Sequence, residues 1–262
     1  MLKIHYKTTG MTEMTEQDVL LTFRQAISDD LNMLAVLIDK ELDGAILHEL
    51  QAIHFPDNLG LKLQAEKSGY ARELMQKAML TFPETLDDKF LNNLAADFAA
   101  IFLNSSVGVS PYESVWISEE HITHQDSMFE MRDWYQKYGL AAKNWRVRAD
   151  DHLVLQIEFI AHLMQLTDNP QALQDAATFL DEHVLRWVFD FSNVVVERCD
   201  TPFYAGLTML IAQYLDELRD VIASILEQPR PSAEEIEQRL KPKKPAPEEV
   251  PVKFMPGVEP SW

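Results

Sequence analysis

The sequence predicts an all-α protein, on three observations. Glycine is scarce, with 8 in 262 residues. Windows rich in Leu, Ala, Met, Glu and Gln succeed one another with few β-branched runs. Apolar residues recur at the three- and four-residue spacing of a helix face. Proline sets the limits, since 8 of the chain's 13 fall between Pro229 and Pro260. We therefore expect a flexible N-terminus over 1–14, one globular multi-helix bundle over 15–228, and an extended Pro-rich tail over 229–262. No 34-residue or similar period recurs, which argues against a helical repeat array.

In chain order, Met11 or Met14 is a candidate for the true start. Thr15, with Asp18 three residues on, reads as the cap of a helix through Ser28. Ser28 and Asp29 then cap a second helix, LNMLAVLIDKEL. Shorter helices precede Pro56, and another covers LKLQAEKSGYARELMQKAM before Pro83. FLNNLAADFAAIFLN places Phe90, Leu94, Asp97, Phe98, Ile101 and Phe102 on helical spacing. Gly108 and Pro111 mark the next stretch, SSVGVSPYESVWISEE, as an irregular loop. Its Tyr112 and Trp116 are unusual there unless they pack or bind something. A helix follows with Met128, Met131, Trp134 and Tyr135 on its buried side and Gly139 as its C-cap.

The stretch DDHLVLQIEFIAHLM, from Asp150 to Met164, is the centre of the chain. On a helix, Leu153, Ile157, Ile160 and Met164 form an apolar stripe, and Asp151, Leu155, Glu158 and His162 form the opposite one. Asp150 suits the N-cap and Asp151 the first turn, where a carboxylate meets orphan amides and the positive end of the dipole. His152 is placed on a third side, near Phe159. Pro170 opens a helix through Cys199 with Phe179, His183, Trp187 and Phe191 at four-residue spacing. His183 and Trp187 read as core. Thr201 caps a long helix over 202–226, and a short one is expected at about Ala233 to Leu240. The tail ends KFMPGVEPSW, whose Phe254, Met255, Val258 and Trp262 suggest an end that occupies a groove and competes with whatever else binds there.

The net charge of −19 argues against nucleic acid or an anionic membrane as partner and favours a basic one. No apolar run approaches the length that spans a bilayer, the start lacks the apolar core of a signal peptide, and lone Cys199 fits a reducing compartment. The expected location is the cytoplasm. Enzyme readings find little support. Glu120, His121, His124 and Asp126, or the face of Asp151, Glu158 and His162, could hold a hard metal. The pairs Glu158/His162 and Glu120/His124 nonetheless miss the Glu-x-x-His spacing of helical di-iron sites. There is no phosphate loop and no nucleophile elbow. No catalytic residue, metal or cofactor is assigned.

Five segments resemble the TorD/DmsD family of molybdoenzyme maturation chaperones, over about Leu86 to Leu226. Asp150, Asp151, His152, Glu158 and Phe159 are similar to its E-P-D-D-H helix, with Arg148 and Ala149 in place of Glu and Pro, and Gln156 at the family's first downstream Glu. PYESVW, with Ser114, resembles its P-x-x-S-V-Y/W loop. Arg132, Trp134, Tyr135, Gly139 and Leu140 reproduce R-x-W/F-Y-x-x-x-G-L. The segment around Trp187 and the PFYAGL helix also match. Residues 122–127 depart from the family's L-L-M-Q-E-P.

The resemblance implies a chaperone that binds the twin-arginine signal peptide and the apo catalytic subunit of a molybdopterin oxidoreductase before export. It would act as a monomer or a domain-swapped homodimer. It also implies a groove with Asp151 and His152 at its polar end and Phe98, Ile101, Phe102, Tyr112 and Trp116 along its apolar end. Trp116 could instead be a packing plug, and Asp151 and His152 could simply cap the helix. A helical scaffold without an exported client is the alternative function; dependence on the client's arginine pair would separate the two.

Overall fold

The computed structural model describes residues 15–117, 126–143 and 146–241. Among them are eleven α-helices and no strand. They are α1 (Glu16–Asp39), α2 (Gly44–Ala52), α3 (Glu66–Leu80), α4 (Asp88–Phe98), α5 (Glu113–Ile117), α6 (Asp126–Lys137), α7 (Leu153–Gln165), α8 (Pro170–Glu182), α9 (Val188–Arg198), α10 (Pro202–Leu226) and α11 (Ala233–Leu240). A helical body runs through Arg230; a second unit starts at Pro231, and its described part is α11 with its flanks. Residues 242–262, which include the apolar terminus, lie outside the described residues. No described helix is long and apolar enough to cross a membrane.

α7 is the axis of the body. Its stripe of Leu153, Ile157, Ile160 and Met164 is buried, each such side chain contributing about 2 kcal/mol. α1 packs along it, α8 bridges α7 and α10, and α10 lies against α3 and α9. Gly206 permits the α10–α3 approach, since a Cβ there would stand 3.1 Å from Met75 Cα. Both ends of α7 are closed by side chains. His152 is the N-cap, its Nδ1 accepting from Val154 N at 3.1 Å. At the other end, buried Arg24 of α1 donates to the carbonyls of Leu163, Met164 and Leu166 at 2.9–3.0 Å.

Four local expectations are corrected. α1 is one helix, closed at its N-terminus by the Thr15/Asp18 capping box. Of the two residues that resembled an internal cap, Ser28 Oγ accepts from Gln165 Nε2 of α7 at 2.8 Å and Asp29 accepts from Gln25 Nε2 within α1 at 2.9 Å, while the adjacent Asp30 accepts from Gly60 N and Leu61 N. The segment after Pro170 is two helices, broken at His183 (φ −124, ψ −78) with a 3-10 turn over Val184–Arg186. At the break the His183 imidazole is held from two sides, as described below. α7 begins after the acidic pair, so Asp150 is not its cap and Asp151 is not in its first turn. Thr201 precedes α10 without a side-chain cap. Buried Asp97 of α4 instead anchors the residues just ahead of α10, accepting from Asp200 N at 3.1 Å and Thr201 N at 2.6 Å.

Candidate functional site

Three segments that are far apart in sequence are stitched together in front of α7. Tyr112 and His152 form an isolated antiparallel bridge. Leu153 N donates to Pro111 O at 2.9 Å, and Glu113 N donates to Asp151 O at 3.2 Å. Ser114 N donates to Asp151 Oδ2 at 2.9 Å, so the carboxylate caps the start of α5. From α6, Arg132 Nη2 reaches Asp150 Oδ2 at 2.8 Å and the Tyr135 hydroxyl donates to Asp150 O at 2.8 Å. Asp150 and Asp151 thus serve a clasp between the loop, α6 and α7.

Glu113 is the hub beneath it. Fully buried, its carboxylate accepts from the Gln156 amide and faces His183 Nδ1 at 3.0 Å. Trp134 Nε1 donates to His183 Nε2 at 3.1 Å, which leaves Nδ1 as the ring's donor to Glu113. Burial pushes the Glu113 carboxyl upward, against the opposing pull of His183. Gln156 is decisive here, because a glutamate at that position would set two carboxylates face to face in the interior. Burial, then the nearby Arg148 charge, lowers His152 to about 3. It therefore accepts from Val154 N as a neutral ring.

The other proposed site residues fall into two groups. Phe98, Ile101 and Phe102 are 2%, 0% and 5% exposed, which leaves no open face for a peptide in this conformation. Phe102 packs 5.9 Å from Tyr204 and 6.1 Å from Phe191, and a π-helical turn over Ala99–Leu103 turns Ile101 and Phe102 inward. Asp151 and His152 are equally buried. Asp151 Oδ2 and His152 Nδ1 each accept from a backbone amide, and neither side chain stands at an open surface.

Tyr112 and Trp116 keep part of their surface. The Tyr112 ring stands edge-on to His152 at 4.9 Å, and Trp116 Nε1 donates to Ser110 O at 2.8 Å with its ring 6.3 Å from Phe191. Gly139 adopts φ 70 after α6, where an L side chain would be strained although nothing crowds the site. Trp187 is buried against Phe191.

On the opposite side of α7, Leu155, Phe159 and Tyr135 form, with Leu140, Ala141 and Ala142, an apolar cleft of about 260 Å³ rimmed by Glu158 and His162. The stripe of Leu155, Glu158 and His162 was readable from the helical spacing; the wall after Gly139, and so the cleft, was not. Of the two metal arrangements considered, Glu120, His121 and His124 lie outside the described residues. Asp151 is part of the clasp and does not line the cleft. No group of three metal-binding side chains converges among the described residues.

Comparisons with known proteins cover the segments that form the clasp. The family described as "Nitrate reductase delta subunit" matches residues 64–193, a span that contains every clasp residue. A chaperone protein TorD of Aliivibrio fischeri is 30% identical over 131 residues, 47% of this chain and 60% of its own. TorD of Shewanella piezotolerans is 25% identical over 205 residues, 73% of this chain and 90% of its own. A Haemophilus influenzae protein named "Probable Tat proofreading chaperone DmsD" is 24% identical over 126 residues, 48% of this chain and 60% of its own. The chain spans less than two thirds of the length of the Aliivibrio and Haemophilus relatives.

Proposed function

We propose that the chain is a maturation chaperone of the TorD/DmsD type, similar to the TorD and DmsD proteins above, and that it binds the catalytic subunit of a molybdopterin oxidoreductase before cofactor insertion. It holds that subunit's twin-arginine signal peptide until insertion is complete. The observation that carries the reading is convergence: PYES, RDWYQKYGL and ADDH, separated in sequence, meet in one hydrogen-bonded clasp. A strongly acidic chain, at −19, draws in a cationic segment.

Within this reading Asp151 and His152 act as positioning residues that fix the Pro111–Ser114 loop. Tyr112 and Trp116, partly open to solvent, meet the peptide. Phe98, Ile101 and Phe102 form the packed floor behind them, joined to Trp116 through Phe191. Such a receptor combines preformed backbone with aromatic walls, as extended-peptide recognition requires.

The test is affinity purification of the tagged protein from its native host, with mass spectrometry of the co-purifying chains. Recovery of a molybdoenzyme catalytic subunit with its signal uncleaved is the expected result. Replacing the client's arginine pair with lysines should lower the yield. Recovery of no such subunit, or equal capture of the Lys-Lys client, overturns the reading and favours a general helical scaffold.

A further inference from the structure

The clasp leaves the outer face of α7 without a role, and that face carries an apolar cleft with a carboxylate at its edge. Glu158 is exposed at the rim, and among the described residues it has no hydrogen-bond or ion-pair partner. Its surroundings are not those of a freely solvated surface glutamate. Partial burial, then the nearby Asp39 carboxylate, pushes its pKa up, with Arg148 opposing. Two carboxylates therefore share this corner with one cation, and that cation is already engaged. Arg148 Nη1 pairs with Asp39 Oδ1, and its Nη2 donates to Asp39 O at 3.1 Å. Arg148 shows how this corner takes a guanidinium: one carboxylate and one helix-terminal carbonyl, together, at the end of α1. Glu158 offers a second, unfilled carboxylate beside it.

The floor below Glu158 is aromatic and aliphatic, formed by Tyr135, Leu140, Leu155 and Phe159. At about 260 Å³ the cleft is below the range of roughly 300–1,000 Å³ usual for small-molecule pockets. It suits side chains of a peptide. An arginine fits such a place better than a lysine: its guanidinium is planar, weakly hydrated and able to lie on a ring while bonding a carboxylate through two N–H groups.

We propose that this cleft reads an arginine-bearing, otherwise apolar peptide segment, with Glu158 as the residue that selects the guanidinium. The proposal rests on the chaperone reading above and deepens it, assigning arginine recognition to the outer face of α7 and not to the buried Asp150–Asp151 pair.

Fluorescence anisotropy on the full chain tests it, using a synthetic peptide with two adjacent arginines followed by an apolar stretch and a second peptide with lysines in their place. The wild type should prefer the arginine peptide. Glu158→Gln, and separately Ala142→Trp, which fills the cleft, should each weaken arginine-peptide binding about tenfold, equivalent to about 1.4 kcal/mol. The Gln variant should also lose the arginine preference, Glu158→Asp should keep part of it, and Glu73→Gln on α3 should change nothing. Unchanged arginine-peptide affinity in Glu158→Gln would overturn the cleft and leave the chaperone reading standing. Failure of the wild type to bind either peptide would overturn the cleft as well. If the same protein also captures no molybdoenzyme subunit, the chaperone reading falls with it.

Discussion

Four acidic residues surround α7, and the two sides of the helix treat them differently. Glu113, Asp150 and Asp151 are buried and committed to amides, Arg132 and His183. Glu158, one face away, is exposed beside an apolar cleft with no partner among the described residues. A carboxylate enclosed by donors builds structure, because removing it strands those donors in the interior. A carboxylate left open over an apolar floor adds little to stability and is available to a ligand. The same residue type thus marks frame on one side of the helix and candidate contact surface on the other.

The largest effect that would sharpen this comparison is expected from Glu113→Ala. It leaves the Gln156 amide and the His183 Nδ1–H without their acceptor, and should lower unfolding free energy by about 3 kcal/mol in urea denaturation. A loss comparable to that of a surface substitution would break the claim that the clasp is structural. Asp97→Ala removes the acceptor for Asp200 N and Thr201 N at the start of α10 and should cost about 2 kcal/mol by the same measurement.

His152 gives a pH test. Its folded value, lowered to about 3 from the model-compound 6.5, means that the unfolded chain binds the proton more readily. Its contribution is therefore present above 6.5 and is lost as pH falls toward 3. In that window it should add a slope of about 1.4 kcal/mol per pH unit. His152→Asn, which retains an acceptor for Val154 N, should remove that slope. Glu113 runs the other way. Its raised folded value gives stability below the usual glutamate range, and this is lost as pH rises through the folded value. Comparing wild type with His152→Asn at each pH isolates the imidazole. The smallest effect is expected for Glu158→Gln, within about 0.5 kcal/mol of wild type; a large loss of stability there would erase the distinction between the two sides.

Much of this was legible in the sequence, and for identifiable reasons. The α7 core stripe, the Thr15/Asp18 box, the Gly139 stop and α11 each depend on spacing or on backbone preference, which are local. Ser28, Asp150 and Thr201 were misread because each carries the chemistry of a helix cap, whereas each cap or contact in the structure is decided by a partner elsewhere in the chain. Gln156 stood out only as a departure from the family pattern; its purpose becomes clear once Glu113 is seen opposite it. The burial of Phe98, Ile101 and Phe102 could not be separated from a groove lining, because aromatic residues at helical spacing serve either purpose.

The sequence by itself determined the helical class, the acidic charge, the order of the motifs and the identity of α7 as the central helix. These follow from residue-by-residue propensity and from a period of 3.6 that any stretch of chain expresses alone. Only the tertiary structure decided which carboxylates are frame and which is free. The solvation and partners of an ionisable group depend on what other segments bring to it: α6 and the Pro111 loop enclose Asp150 and Asp151, whereas Glu158 is left at the open rim of its cleft.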